Sequence, residues 1–203
     1  MEVDKIGFFT KNKQKVREMN LLLIKDFYNE SGSKLKYFGL PSEEMQDIYF
    51  WKDYLSSIGA VERGTRGQEF IKQHDLVLTS FLLGISDKLE LYRGDMDDIL
   101  IYGKDYFGNK IDYPYQLVNM DYTGGLFYKE DKDKSKRIDS IKSLLRNQAK
   151  FRQDFILLIT CNFDNDFDAE YKNFIEKFIL KSEDQKKESL SRLTIEILIK
   201  RLS

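Results

Sequence analysis

At 203 residues, with 33 Lys+Arg against 34 Asp+Glu and a formal net charge of -1, the chain is long enough to bury one sizeable core. It is too evenly charged to bind polyanions over its whole surface, although a local basic patch is compatible with that balance. An aromatic fraction of 14% with only 2 prolines excludes a disordered chain, a single Cys rules out an internal disulfide, and one His beside one Cys argues against a zinc site of such ligands, so no metal is expected. No secretory leader precedes Lys5 and no apolar run is long enough to span a bilayer, so the expected address is the cytoplasm, without a membrane partner.

The first predicted element is an amphipathic helix over Thr10 to Asn29, with Val16, Met19, Leu22, Leu23 and Phe27 on its apolar side and Lys11, Lys13, Lys15 and Arg17 as a solvated basic cluster. Residues 1–33 form a helical extension on this reading. Lys34 to Phe38 alternates like a strand and runs into Gly39-Leu-Pro-Ser42, where Ser42 is the expected N-cap of a helix over Glu43 to Leu55. In that helix Tyr49, Phe50 and Trp51 are expected in the core. A second strand, Ser57 to Val61, ends at Glu62, and the loop Arg63-Gly-Thr-Arg-Gly67 leads to a helix over Gln68 to Leu83, with His74 on its polar face.

The third strand is Lys88 to Tyr92, closed by Arg93-Gly-Asp-Met-Asp-Asp98. Ile99 to Tyr102 continue as a short helix or strand, and 103–112 read as a loop or hairpin. Gln116 to Met120 is a fourth, buried strand that stops at Asp121-Tyr-Thr-Gly-Gly125. A helix over Ser135 to Arg152 precedes the strongest strand signal, the continuous apolar run Phe155 to Thr160, which Cys161 closes. The acidic turn Asp164-Asn-Asp-Phe-Asp168 lacks the glycine and distal Glu of a calcium loop and reads as helix-capping acid. Two helices, Glu170 to Leu180 and Glu188 to Leu202, are expected to finish the chain.

Strands separated by helical stretches predict a doubly wound, mostly parallel α/β sheet with helices on both faces, a Rossmann-like domain over 34–180, and a C-terminal helix over 181–203. In such sheets ligands gather at the carboxyl ends of strands, so Asp121 and Tyr122 are candidate catalytic residues, with Thr123 beside them. Gly124-Gly125 would let the backbone pass close to a bound molecule. The alternative is a tight turn in which Asp121 caps the next helix.

Three further strand ends carry chemistry. Gly39-Leu-Pro-Ser42 follows the first strand, Glu62 ends the second at about the 20-residue distance that a ribose-binding acid requires, and Gly94-Asp95-Met96 follows the third. In this order the chain resembles the class I S-adenosylmethionine-dependent methyltransferases over roughly residues 34–180. The resemblance implies that S-adenosylmethionine is the cofactor, with Gly39, Pro41 and Ser42 in the glycine loop and Glu62 on the ribose. It puts Asp95 and Met96 at the adenine, and Asn119-Met-Asp-Tyr122 beside the transferred methyl group. The first loop departs from the family pattern, for it has neither the usual acid nor the second and third glycines, and the antiparallel hairpin that normally finishes the family sheet is absent from the predicted elements.

Two surfaces suggest partners. Lys142, Arg146 and Lys150 share a helical face that could meet the phosphates of a nucleic acid. Leu193, Ile195, Ile197, Leu198 and Leu202 give the final helix an apolar face that could pack on this sheet or on a protein partner. The rival reading is a non-catalytic Rossmann-like module for assembly or sensing. A nucleotide hydrolase with Asp95 and Asp121 on magnesium is a third, against which the sequence offers no Gly-Lys-Ser/Thr phosphate loop.

Overall fold

The computed structural model describes residues 11–63, 69–125, 136–162 and 192–199. Helix α1 (Lys11–Ser31) leads into β1 (Leu35–Gly39), α2 (Gln46–Trp51), β2 (Leu55–Glu62) and α3 (Glu69–Leu82). Then come β3 (Leu89–Arg93), α4 (Met96–Tyr102), β4 (Leu117–Gly125), α5 (Lys136–Ala149), β5 (Phe155–Asn162) and β6 (Arg192–Ile199). The strands form one sheet in the order β3-β2-β1-β4-β5-β6, with β1 to β5 parallel and β6 antiparallel to β5. This is the predicted doubly wound, Rossmann-like α/β fold. Strand order reverses between β1 and β4, where ligand crevices open in such sheets.

Two apolar layers cover the two faces. In β5, Ile156 and Leu158 join Tyr37, Ile48, Trp51, Ile58 and Leu76 on the side of α1, α2 and α3. Phe155, Leu157 and Ile159 join Phe38, Val118, Met120, Ile99 and Leu144 on the side of α4 and α5. A strand buried on both faces has no polar face to display, so its sequence is continuously apolar. Trp51 is buried as expected, whereas Tyr49 and Phe50 are exposed.

Three predicted elements are corrected. The segment read as a final helix, Glu188 to Leu202, contains β6, whose Ile195 lies opposite Ile159. The β-branched Thr194, Ile195, Ile197 and Ile199 favour an extended chain, and β5 would otherwise leave a row of main-chain groups unpaired on that side. The predicted protein-docking face of a C-terminal helix is thereby withdrawn. Both Glu170 to Leu180 and the acidic turn 164–168 lie outside the described residues.

The helix after β1 starts at Gln46 rather than Glu43, and its N-cap is Met45 with φ 48°, not Ser42. Ser42 has φ 58°, so its main chain cannot enter a right-handed helix at that point. The third correction concerns β4, which runs on to Gly125, so Asp121 and Tyr122 lie inside a strand and Asp121 is no cap of the next helix.

Candidate functional site

Register defines a notch. β1 ends at Gly39, which pairs with Ala60 of β2 on one side and with Asn119 of β4 on the other. Both neighbours continue, so Glu62 and Asp121 each stand two residues beyond the end of β1, on opposite rims of the gap. Paired residues of parallel strands point to one face, and positions two apart share it. Tyr37, Gly39, Asn119, Asp121, Ala60 and Glu62 therefore share the face covered by α1, α2 and α3, whereas Tyr122 turns to the other.

The notch floor is polar and mostly buried. Arg17 of α1 donates through Nε to Asp47 Oδ1 at 2.6 Å, and Asn119 Nδ2 donates to Asp47 Oδ2 at 3.2 Å. Asp47 thus ties α1, α2 and β4 together. Beside it the hydroxyl of Tyr37 is fully buried and makes no hydrogen bond among the described residues, although Asn119 stands next to it. Burial, then the charges of Asp47 and Asp121, hold the Tyr37 phenol protonated well above its ordinary range. Asn20, one turn along α1 from Arg17, also keeps an unbonded side-chain oxygen in the interior. A buried polar atom without a partner costs about 1–3 kcal/mol, and the Tyr37 hydroxyl, beside the strand-order switch, is one that a polar ligand could complete.

This arrangement corrects the reading of α1. Arg17, Asn20 and Ile24 face inward, while Met19 and Leu22 are 45% and 62% exposed. Of the expected apolar side, Leu23 and Phe27 do pack on the core while Met19 and Leu22 do not, so the buried face is rotated toward Arg17 and Asn20. The signal that could have found Arg17 is its i, i+3, i+7 spacing with Asn20 and Ile24, but only a known acid opposite gives that face a reason to be buried.

In the β1 to α2 loop, a Cβ on Gly39 would lie 2.3 Å from the Asn119 carbonyl oxygen and 2.6 Å from the Tyr37 hydroxyl. Gly39 therefore serves the close approach of β1 and β4, and Leu40 N donates to that same carbonyl at 3.2 Å. Pro41 is buried behind it. Ser42 and Met45 both take positive φ, at 58° and 48°. This loop reaches left-handed backbone with residues other than glycine, a strain of about 1 kcal/mol or more each.

At the end of β3, Asp95 is the N-cap of α4. Its Oδ1 accepts from the amides of Asp97 and Asp98 at 3.0 and 3.3 Å, while Arg63 and Lys136 reach its carboxylate at 3.2 and 3.4 Å. Its charge is already committed to holding the helix. Met96 is buried behind it, and Glu62 is half-buried with its carbonyl accepting from Gly94 N at 3.3 Å. The structure thus gathers Gly39, Asp121 and Glu62 around one notch, sets Asp95 and Met96 on the neighbouring strand end, and turns Tyr122 away.

Tyr122 belongs to a second polar group that the sequence did not suggest. Its hydroxyl donates to Asp97 Oδ1 at 2.7 Å, and Ser140 Oγ donates to the same oxygen at 2.6 Å. The Arg137 guanidinium lies 4.5 Å from the Tyr122 ring centroid. Burial pushes the Asp97 carboxyl up, against the two hydroxyl donors that favour its charge. The network joins β4, α4 and α5, and Tyr122 acts in it as a strut.

Among the described residues no cluster of His, Cys, Asp or Glu could hold a metal ion, and no helix is long and apolar enough to cross a membrane. His74 is 70% exposed, in keeping with a solvated side chain.

No protein-family model matches the chain, and no curated protein resembles it in sequence. Solved structures do. An rRNA methylase from Streptococcus thermophilus aligns over 90% of this chain and 97% of its own, with 13% identity and a TM-score of 0.55. A cofactor-bound protein from MTB aligns over 90% and 73%, with 13% identity and a TM-score of 0.51. A protein from Galdieria sulphuraria assigned as a sarcosine dimethylglycine methyltransferase aligns over 78% of this chain at 12% identity and a TM-score of 0.46, and the chain spans 53% of its length. At such identities the likeness is one of fold: the chain has the Rossmann-like sheet that the rRNA methylase also has.

Proposed function

We propose that the chain is an S-adenosylmethionine-binding, methyltransferase-like protein whose ligand enters the notch between β2 and β4. The observation that carries this reading is the gap above Gly39, rimmed by Glu62 and Asp121, over a buried Tyr37 hydroxyl that lacks a hydrogen bond among the described residues. The residues present fit the group. Glu62 would accept hydrogen bonds from ribose hydroxyls and the main chain of Gly39, Pro41 and Ser42 would come close to the ligand, whereas Met96, buried in the core beside Asp95, would have to move to cover the base. To accept from an adenine amino group Asp95 would have to give up its contact with Arg63. The cofactor, when bound, supplies an electrophilic methyl group on a sulfonium. Asp121 accepts a proton or hydrogen bond from the methyl acceptor, and Tyr122, fixed through Asp97, keeps that end of β4 in position.

Calorimetric titration with S-adenosylhomocysteine tests the reading. Removing a charge-assisted acceptor costs roughly 1.5–3 kcal/mol, so Glu62→Ala should weaken binding by about tenfold or more, whereas Asp121→Ala should leave it within about threefold because its contact is made mainly in the transition state. Equal affinity in wild type and Glu62→Ala would end the assignment of Glu62. A non-catalytic assembly or sensing module is the second reading. Its support is the Arg17 to Asp47 pair across the notch floor and the commitment of Asp95 to capping, and a wild-type chain that binds no S-adenosyl ligand would favour it.

A further inference from the structure

The segment 103–110, between α4 and β4, is a built loop that presents aromatic rings to solvent. Asp105 is its centre. The buried carboxylate accepts from the amides of Arg93 at 3.2 Å, Phe107 at 2.9 Å and Asn109 at 2.9 Å, and from Asn109 Nδ2 at 3.0 Å. Burial alone would raise the Asp105 carboxyl, but the Asn109 side chain and these amides together bring it below its ordinary value, so the charge that organises the loop persists well into acid. Main-chain bonds from Tyr106 N to Arg93 O and from Ile111 N to Gly103 O, with a bridge between Lys104 and Lys110, close the loop against the end of β3.

What this construction holds out is two rings, Tyr106 at 67% and Phe107 at 66% exposure. They bury little, so a packing role does not account for them. Gly94, with φ 139°, makes room for the first: a Cβ there would lie 3.0 Å from the Tyr106 ring. The Arg93 guanidinium lies 5.0 Å from the centroid of Phe107. Exposed Lys104 and Lys110 flank the pair within the same loop, whose one acid is the buried Asp105. Nearby Glu90 is hydrogen-bonded by the Tyr92 hydroxyl, and Asp112 is paired with Lys36.

We propose that the loop 103–110 is a stacking platform for single-stranded nucleic acid, with Tyr106 and Phe107 taking bases and Arg93, Lys104 and Lys110 the phosphates. Rings at a rigid tip lose little freedom on binding, every base offers a face to stack on, and the cations match the charge of the strand. Duplex is disfavoured because its bases are already stacked on one another. The proposal does not rest on the cofactor reading, and its test needs no S-adenosyl ligand.

The experiment is a fluorescence anisotropy titration of short labelled strands of dT and of U, and of a duplex of equal length, at two salt concentrations. Wild type should bind the single strands more tightly than the duplex. The double variant Tyr106→Ala/Phe107→Ala should weaken that binding by about 10- to 100-fold, the loss expected for two stacked bases at the lower end of the measured range. Phe107→Trp should keep it. Lys104→Gln/Lys110→Gln should flatten the log-log salt slope by about one unit. Unchanged thermal melting would show that the exposed rings were removed without loss of fold. A wild-type chain that binds neither strand overturns the proposal and leaves the rings to a protein partner. Equal binding by the double variant, or a preference for duplex, also overturns it.

Discussion

Asp97 is an acid whose position works against its charge. Only 8% exposed, it accepts from Tyr122 and Ser140, and burial outweighs both donors, so its folded pKa lies above the ordinary 3.8. A folded state that holds its proton more firmly than the unfolded chain loses stability as pH rises through the window between the two values. Below 3.8 the proton is bound in both states and the penalty is absent. Asp97→Asn keeps an oxygen that accepts from both hydroxyls and carries no charge. Its melting temperature relative to wild type should therefore climb as pH is raised from 3.8 toward neutrality. A constant difference across that range would mean that Asp97 titrates as it does in the unfolded chain. Asp97→Ala should instead lower stability at every pH, because it leaves the buried Tyr122 hydroxyl, among the described residues, with only its long 3.4 Å contact to Ser140, at a cost of about 1–3 kcal/mol.

Helix α1 is fixed by the Arg17 to Asp47 ion pair and by the packing of Leu21, Leu23, Ile24, Phe27 and Tyr28 on the sheet. Arg17→Ala removes the guanidinium from Asp47, which is 22% exposed at the side chain, and leaves that acid, among the described residues, with Asn119. The expected loss is about 1–3 kcal/mol, below that of a fully buried pair because water reaches Asp47. In the double variant Arg17→Ala/Asp47→Ala part of the loss should return, and a thermal-melting cycle in which the two substitutions simply add would show that the pair is not coupled.

The same helix shows which parts of the fold were legible in the sequence. Strands β1 to β5 were, β5 through its unbroken apolar run and the others through short apolar or alternating stretches that end at glycine or a charge, although β4 runs further than Met120. The ends of β1 and β2, with Gly39 and Glu62, followed from them. The burial of Arg17 on α1 was not, since its acid lies 30 residues away in sequence. Nor was the start of α2: Ser42 has the chemistry of an N-cap, but the strain at Ser42 and Met45 is a property of the closed loop. For β6, apolar spacing admitted helix and strand alike until the free edge of β5 decided between them.

At the scale of the whole molecule the near-neutral charge makes any nucleic-acid contact local, and two local surfaces are candidates. Besides the aromatic loop, α5 and the turn after it carry Lys142, Arg146 and Lys150, all exposed. Their effective charge is smaller than their number, for Asp139 lies 3.6 Å from Lys142. We therefore expect this face to add about one to two phosphate contacts and a log-log salt slope of roughly -1 to -2, with no preference among bases. Lys142→Gln/Arg146→Gln/Lys150→Gln should flatten the slope by that amount and leave base stacking intact. If a single strand spans both surfaces, its losses in the triple variant and in Tyr106→Ala/Phe107→Ala should add in free energy, as for sites without shared partners. A strand too short to span them should feel only one of the two changes. Binding that keeps its slope in the triple variant would return α5 to a solvated helix face, and the loop would then be the surface to pursue.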